Sequence, residues 1–186
     1  FVTSRDPGPC LLPRIARAIR VVAQTLRRGG RLVFVGAGTS GRLGVLEAVE
    51  CPPTFHTPPS MVHALMAGGR SAVFQSREGA EDHRAHARAA ITRAVRAGDV
   101  VVGISASGVT PFVDEALKTA RRRQARTVLI TCAVRTTLPA DVRVALSVGP
   151  ELLTGSTRLK AGTATKLTLN MLTLGAMAQC GKTYGN

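Results

Sequence analysis

The stretch RLVFVGAGTSGRLGVLEAVE, residues 31–50, decides the fold class of this 186-residue chain. It opens with a compact β-rich run, passes through the glycine loop Gly36–Gly41, and then repeats apolar residues at helical spacing up to Glu50. This order predicts a strand, a glycine loop and a helix. The segment Cys51-Pro52-Pro53 follows. We expect it to end the helix at Glu50, because prolines disfavour helical backbone.

The same alternation of helices and strands extends in both directions from this unit. Predicted helices cover residues 12–28, 81–95, 111–123 and 160–179, and predicted strands cover residues 31–35, 61–66, 100–105, 127–132 and 142–148. The last helix is apolar on most sides, which predicts that it packs in the core or in an interface. Strands that alternate with helices predict an α/β fold with a doubly wound, mostly parallel sheet covered on both faces.

Length and composition restrict the class of protein. Hydrophobic residues make up 45% of the chain, enough for one substantial core and one domain. No stretch resembles a secretion signal, and the most apolar segment, residues 167–180, is too short to cross a bilayer, so we expect a soluble protein without membrane contact. The four cysteines are scattered without a C-x-x-C pair, which disfavours a zinc site and a disulfide framework, so we expect the reducing cytoplasm as its location. The sequence begins at Phe1 rather than Met, and we expect it to be an excerpt of a longer protein.

The net charge of +14 raises nucleic acid as a partner. The arginines are spread along the chain, however, with runs at Arg27-Arg28 and at residues 121–123 near the ends of predicted helices. Cations are favourable there, because they meet the negative end of the helix dipole. One Tyr, five Phe and no Trp leave few side chains on which bases could stack. We therefore expect no nucleic-acid partner.

The glycine loop after the first strand matches G-x-G-x-x-G, the fingerprint of a dinucleotide site. Such a site also needs an acidic residue at the end of the second strand, and that predicted strand runs instead into Ala67-Gly68-Gly69. This disfavours a dinucleotide. What remains is a glycine loop with two hydroxyl side chains, Thr39 and Ser40, where backbone N–H groups and the helix dipole favour an anion.

Hydroxyl side chains also dominate two later loops, with Ser105, Ser107 and Thr110 in one and Ser156 and Thr157 in the other. Each hydroxyl has two possible roles, since it can cap the following helix or contact a ligand. Together the hydroxyls suit a phosphate monoester. Because all three loops follow strands, we expect them to converge on one polar ligand at the carboxyl edge of the sheet.

Six motifs occur in a fixed order along the chain: G-A-G-T-S-G-R-L-G, E-C-P-P-T-F, A-G-G, E-G-A-E-D, S-G-x-T-P and G-P-E-L-L-T-G-S-T-R-L-K-A-G-T-A. From about Arg31 to Asn186 the chain resembles the N-acetylmuramic acid 6-phosphate etherase family. The resemblance implies a sugar isomerase (SIS) type fold, a three-layer sandwich, with a truncated helical segment over residues 1–30 and the SIS domain over residues 31–186. It also implies a cytoplasmic homodimer that acts in the recycling of bacterial cell-wall sugars.

The activity implied by the resemblance is a lyase reaction on a phosphorylated amino sugar. The D-lactyl ether of N-acetylmuramic acid 6-phosphate is cleaved by elimination, and water addition then gives N-acetylglucosamine 6-phosphate and D-lactate. The resemblance assigns the acid/base roles to Glu50 and Glu81, and the grip on the phosphate to the hydroxyl loop of residues 105–110 and to Ser40. Two carboxyl groups suffice for this chemistry, so no metal and no cofactor is expected.

Apart from the resemblance, the two glutamates differ in how readily they fit a structural role. Glu81 lies with Glu78 and Asp82 in the predicted first turn of a helix, where acids stabilise the dipole. Glu50 lies near a predicted helix C-terminus, where the dipole disfavours a negative charge, and this hints at a functional role. Four histidines do not form a convincing metal ligand set: His56, His63, His83 and His86.

The chain departs from the family pattern at three places. Val109 stands where an arginine is usual, Ala133-Val134 where Asn-Pro is common, and His56 where a small residue is typical. An alternative function is a non-catalytic sugar-phosphate-binding regulator resembling the glucokinase regulatory protein, which shares the fold. The E-C-P-P-T segment that begins at Glu50 favours catalysis, since the regulator-like pattern lacks it. A third possibility is a fragment that folds but lacks the partner or flanking helices needed for turnover.

Overall fold

The computed structural model describes residues 11–183, so Cys10 and the rest of residues 1–10, as well as residues 184–186, lie outside the described part of the chain. The described residues form a five-stranded sheet, and every strand pairing in it is parallel. The strands are β1 (Leu32–Gly36), β2 (Val62–Met66), β3 (Val100–Ile104), β4 (Arg126–Thr131) and β5 (Val142–Ala145). Their spatial order is β2-β1-β3-β4-β5. The predicted parallel sheet is confirmed.

Helices cover both faces of this sheet. They are α1 (Leu11–Arg27), α2 (Gly38–Phe55), α3 (Ser71–Phe74), α4 (Arg84–Ala94), α5 (Pro111–Arg122) and α6 (Lys160–Gln179). Side chains alternate across each strand, so Phe34 points into a core shared with α1, α2 and α6, whereas Val33 points into a second core shared with α4 and α5. The doubly wound, three-layer arrangement is therefore confirmed.

The first core extends to α1, which precedes the predicted SIS domain boundary at residue 31. Ile15, Ala18 and Val22 of α1 are buried, and a Cβ on Gly175 of α6 would lie only 2.7 Å from a methyl carbon of Ile19. Helix α1 thus packs closely against α6. Within residues 11–183, no helix is long and apolar enough to cross a membrane.

The predicted end of α2 at Glu50 is wrong, because the helix continues through Pro52 and Pro53 to Phe55. Burial explains the extra turn. Cys51 and Phe55 are only 1% and 9% exposed and belong to the first core, so tertiary packing offsets the hydrogen bonds that the prolines cannot donate. The helix ends at His56, whose backbone is left-handed with φ +51°.

The predicted helix over residues 81–95 is also partly wrong. Residues Ala80–Asp82 form a separate 3₁₀ turn, and α4 begins only at Arg84. Helix α3, four residues long, was not predicted, because so short a helix shows no apolar period. Strand β5 stops at Ala145 rather than residue 148, because its neighbour β4 ends opposite it at Thr131.

Helix α6 has the predicted bounds and buries one side in the first core. Apolar side chains on its other side and on the neighbouring α2 remain exposed. This surface, the α2/α6 apolar face, consists of Leu46, Val49, Leu167, Met171 and Leu174, which are 38–58% exposed. The prediction that α6 packs in the core or in an interface is confirmed for the side that is buried in the first core.

Candidate functional site

A polar cleft lies where the strand order reverses. From β1 the chain crosses to β2 on one side, and from β3 it crosses to β4 on the other, so the loops after β1 and β3 separate and leave a crevice. Gly36 pairs with both Met66 and Ile104, which places the carboxyl ends of the three strands level with one another. The cleft has a volume of about 350 Å³. Its polar lining includes Thr39, Ser40, Arg77, Glu78, Glu81, Ser107, Thr110 and Thr157.

The glycine loop forms the floor of this cleft. A Cβ on Gly36 would lie 2.7 Å from the backbone nitrogen of Gly41, so only glycines allow β1 and α2 to approach so closely. The residue before α2 is Ala37, whose side chain cannot cap the helix, and within residues 11–183 no side-chain cap is formed there. The first N–H groups of α2, next to Thr39 and Ser40, are therefore available to an anion.

The loop after β3 is organised around a buried hydroxyl. Ser105 is 1% exposed, and its Oγ lies 2.8 Å from Oγ1 of Thr110 and 3.5 Å from Oγ of Ser107. The backbone N–H of Gly108 also donates to Ser105 Oγ at 3.1 Å. Thr110 precedes α5, yet within the described part of the chain its hydroxyl makes no cap hydrogen bond. The buried hydroxyl of Ser105 therefore stabilises the loop through these hydrogen bonds, while Ser107 and Thr110 line the cleft.

Gly108 completes this loop with a backbone that other residues rarely adopt. Its φ is +68°, and a Cβ would lie 2.8 Å from Cβ of Ala133 and 3.0 Å from Cβ of Thr136. The hydroxyl of Thr136 donates to the carbonyl of Gly108. The neighbouring Val109, which stands where the family usually has arginine, is 65% exposed.

The two hydroxyl residues of the third loop, Ser156 and Thr157, differ in their position relative to the cleft. Thr157 lines the cleft, whereas Ser156 does not belong to the lining. Glu151, which was not predicted as a functional residue, caps α6 by accepting hydrogen bonds from the backbone N–H groups of Lys160 at 3.0 Å and Ala161 at 2.9 Å. A glutamate nine residues before a helix gives no recognisable local capping signal.

The two glutamates lie in different surroundings. Glu81, in the 3₁₀ turn, lines the polar cleft, whereas Glu50 is exposed on α2 outside that lining. Glu50 follows Thr39 by eleven residues in the same helix, which separates them by about 16 Å along the helix axis. The structure therefore brings Glu81 to the hydroxyl loops but does not bring Glu50 there within one chain.

Glu47, one turn before Glu50, is a buried acid that was not predicted as a functional residue. It is 6% exposed, accepts a 2.8 Å hydrogen bond from Thr173 Oγ1, and lies 3.7 Å from Nζ of Lys166. Burial raises the pKa of Glu47 above its ordinary value, and the contacts with Thr173 and Lys166 offset only part of this effect. Burial also raises the pKa of Cys51 to about 12, so that thiol stays protonated at neutral pH.

Two further contacts concern the surroundings of the cleft. Arg42 of α2 donates to the backbone carbonyls of Ala72 at 2.9 Å and Val73 at 2.8 Å, which holds α3 beside the cleft. His83 and His86 lie with ring centroids 5.0 Å apart, both exposed. In residues 11–183 no group of three His, Cys, Asp or Glu side chains could hold a metal ion.

Two family models match this chain. The model of the glucokinase regulatory protein N-terminal SIS domain matches residues 14–121, and the model of the SIS domain matches residues 80–175. Curated relatives named N-acetylmuramic acid 6-phosphate etherase include one from Symbiobacterium thermophilum, 56% identical over 94% of this chain and 59% of its own length. One from Gloeobacter violaceus is 56% identical over 94% of this chain and 58% of its own length. The chain thus spans 59% of the first of these relatives.

Solved structures share the fold at low sequence identity. A phosphoheptose isomerase, GmhA from Neisseria gonorrhoeae, superposes with a TM-score of 0.66 at 19% identity, covering 91% of this chain and 88% of its own. A putative phosphosugar isomerase from Bacteroides fragilis has a TM-score of 0.68 at 18% identity, covering 92% and 81%. The NanR protein of Vibrio vulnificus, complexed with ManNAc-6P, has a TM-score of 0.62 at 18% identity, covering 92% and 58%. The resemblance predicted from the motifs is confirmed.

Proposed function

The chain belongs to the SIS-domain family, and we propose that it is the sugar-phosphate-binding and catalytic part of an N-acetylmuramic acid 6-phosphate etherase. The proposed substrate is N-acetylmuramic acid 6-phosphate, and the products are N-acetylglucosamine 6-phosphate and D-lactate. Because the substrate is a phosphorylated cell-wall sugar, we place the reaction in the cytoplasm, in the recycling of peptidoglycan.

The observation that carries this proposal is the position of Glu81 in the same cleft as the hydroxyl loops. We assign the phosphate to the N-terminus of α2 and to the hydroxyls of Ser40, Ser107 and Thr110, since N–H and O–H donors at such a turn suit phosphate oxygens. Ser105, being buried, acts by positioning that loop. Thr39 and Thr157 line the same cleft and contact the sugar in this proposal, with Ser156 supporting the third loop.

The chemistry requires an acid and a base near C2 and C3 of the opened sugar. A carboxylate removes the proton from C2, which is acidic beside the aldehyde, and the electron pair forms the C2–C3 double bond as the C3–O ether bond breaks. A protonated carboxyl group donates to the departing lactate oxygen. Water then adds across the double bond, with its oxygen at C3 and a proton at C2. Glu50 and Glu81 supply these two groups in the proposal.

We propose that a second copy of the chain brings its Glu50 to the cleft. Within one chain Glu50 lies about 16 Å along α2 from Thr39, which is too far for Glu50 to act on a sugar that contacts Thr39. Glu50 follows Val49, a member of the exposed α2/α6 apolar face. Burying this face between two copies removes apolar surface from water, and a two-fold axis then places the same residues on both sides.

A regulator that binds a sugar phosphate without turnover is the alternative function. The match to the glucokinase regulatory protein model over residues 14–121 favours it. Glu50 discriminates between the two functions, because an acid is needed for elimination and not for binding.

The test is D-lactate release from N-acetylmuramic acid 6-phosphate. The wild-type chain is expected to release lactate, and Glu81→Gln and Glu50→Gln are each expected to lose about 10²–10⁴-fold in rate. Glu78→Gln is the matched control, since Glu78 lines the same cleft but has no assigned acid/base role. Sugar-phosphate binding without lactate, in this chain and in the full-length protein, would establish the regulator instead.

Mixing the Glu50→Gln and Glu81→Gln variants tests whether Glu50 of one copy acts in the cleft of the other. If Glu50 acts on the partner's cleft, a dimer of Glu50→Gln with Glu81→Gln contains one intact site, and an equal mixture recovers about a quarter of wild-type activity. No recovery in a mixture that demonstrably exchanges subunits would contradict the proposed role of the second copy.

A further inference from the structure

A second cavity opens at the opposite edge of the sheet, where the strands begin. Its volume is about 420 Å³. We name it the basic cavity, because five arginines from separate parts of the chain line it: Arg17, Arg28, Arg31, Arg96 and Arg126. They come from α1, the turn after α1, the residue before β1, the segment before β3 and the start of β4. No function described above uses this cavity.

Two aspartates in the lining, Asp99 and Asp141, are already engaged by the protein. Asp99 accepts hydrogen bonds from the backbone N–H groups of Arg31 and Arg96 at 2.9 and 2.8 Å, and from Nη2 of Arg31 at 2.6 Å. Burial alone would raise the pKa of Asp99, but these hydrogen bonds outweigh it and lower the pKa below its ordinary value. Asp141 accepts from the backbone N–H and hydroxyl of Thr127 at 2.8 and 3.0 Å. Five arginines less two aspartates leave the lining with a surplus of three positive charges.

Of the five arginines in the lining, Arg31 already has partners within the protein, like Arg123 outside the lining. Arg31 donates to the carbonyl of Ala94, and Arg123 donates to the carbonyl of Val95, so both satisfy the C-terminal end of α4. In contrast, four guanidinium groups form no hydrogen bond or ion pair within residues 11–183: those of Arg17, Arg28, Arg96 and Arg126. Four unpaired cations around one cavity repel one another, and a bound anion relieves that repulsion.

We propose that the basic cavity binds a small anion that carries two phosphate groups. A guanidinium group donates two parallel hydrogen bonds to a phosphate, which suits several arginines arranged around one anion. A diphosphate anion matches the surplus of three positive charges better than a single phosphate does. The cavity volume falls in the range of small-molecule sites, and among residues 11–183 its lining contains no aromatic side chain on which a nucleotide base could stack.

This site is separate from the polar cleft. The five residues of β1 span the sheet between the two cavities, a distance of about 16 Å. A diphosphate in the basic cavity and a sugar phosphate in the polar cleft therefore bind without competing. The inference does not depend on the proposed etherase activity, because it uses none of the residues assigned to that reaction.

Isothermal titration of the chain with sodium pyrophosphate at constant ionic strength tests the proposal. We expect one saturable site per chain and tighter binding than for orthophosphate. The double variant Arg28→Gln/Arg126→Gln is expected to bind pyrophosphate about tenfold more weakly for each arginine removed. The matched control is Arg93→Gln/Arg121→Gln, which removes two exposed arginines from outside the cavity and is expected to bind like the wild type.

Three results would overturn the proposal. Equal weakening in the control variant would mean that pyrophosphate responds to the overall charge, and absence of saturable binding would mean that there is no site. The third is binding that saturating N-acetylglucosamine 6-phosphate abolishes but that Arg28→Gln/Arg126→Gln leaves intact, which would place the anion in the polar cleft. Because all four substituted arginines are exposed, circular dichroism is expected to show unchanged folding in both variants.

Discussion

Replacing Gly108 by alanine perturbs the phosphate loop in two ways that the structure separates. The backbone φ of +68° is left-handed, and an L-residue there costs about 1–2 kcal/mol. The added Cβ would also lie 2.8 Å from Cβ of Ala133 and 3.0 Å from Cβ of Thr136, an overpacking that costs about 1–3 kcal/mol. We therefore expect Gly108→Ala to lower the free energy of unfolding by about 2–5 kcal/mol.

The matched control is Gly181→Ala, just after α6. Gly181 has nearly the same φ, +70°, but no atom of residues 11–183 lies within 4 Å of an added Cβ. Gly181→Ala is therefore expected to lower the free energy of unfolding only through the left-handed backbone, by about 1–2 kcal/mol. Urea unfolding of both variants, followed by circular dichroism at one protein concentration, gives the difference between them, which isolates the steric contact.

Binding gives a second readout for the same pair. Gly108 lies between Ser107 and Thr110, so displacing its backbone is expected to weaken binding of a sugar phosphate, whereas Gly181→Ala is expected to leave it unchanged. Equal loss of stability in the two variants would refute the steric argument. Unchanged binding in Gly108→Ala would refute the assignment of the phosphate to this loop.

Three further substitutions test the helix end and the buried acids. His56→Gly is expected to raise the free energy of unfolding by about 0.5–1 kcal/mol in thermal unfolding, because φ is +51° there; a lower stability would contradict this. The folded-state pKa of Glu47 is raised above 4.5, so folding favours the protonated form of this side chain. Its contribution to the free energy of unfolding is therefore fully present below pH 4.5 and is lost as the pH rises through the folded-state pKa. Glu47→Gln, which keeps an acceptor for Thr173, is expected to exceed the wild type in stability at pH 7 and to match it near pH 4. The pKa of Asp99 is lowered below 3.8, so its stabilisation is present above that pH and lost as pH falls through the folded value. Asp99→Asn is expected to be less stable than the wild type at pH 7, with the two urea midpoints converging in acid; parallel pH profiles would contradict either argument.

Much of the fold was predictable because each central strand is buried on both faces. The runs at β1 and β3 contain only apolar residues and glycine, and β4 has an apolar centre at residues 128–130. Glycine or hydroxyl residues mark where β1 and β3 end. The end of α2 was not predictable from local rules. Prolines predict a stop, but the burial of Cys51 and Phe55, which the local sequence does not reveal, carries the helix one turn further.

The candidate site was predictable in its composition but not in its arrangement. Glycines and hydroxyls after strands indicated an anion site from local chemistry alone. Whether a hydroxyl lines the cleft or supports the loop depends on how deeply its side chain is buried. In the structure Ser105 is buried under the loop, whereas Ser107 lines the cleft. The break before α4 sets the position of Glu81, since the 3₁₀ turn is separate from that helix.

The sequence by itself determined the order of strands and helices, the position of the phosphate-type loops and the resemblance to the etherases, because these follow from local periods and contiguous motifs. Only the tertiary structure decided which loops meet at the reversal of strand order, and that Glu50 lies outside the cleft of its own chain. It also decided that Arg17 and Arg126, more than a hundred residues apart, line one cavity. The physical reason is that these relations depend on how the strands are ordered in the sheet, which packing sets over the whole domain.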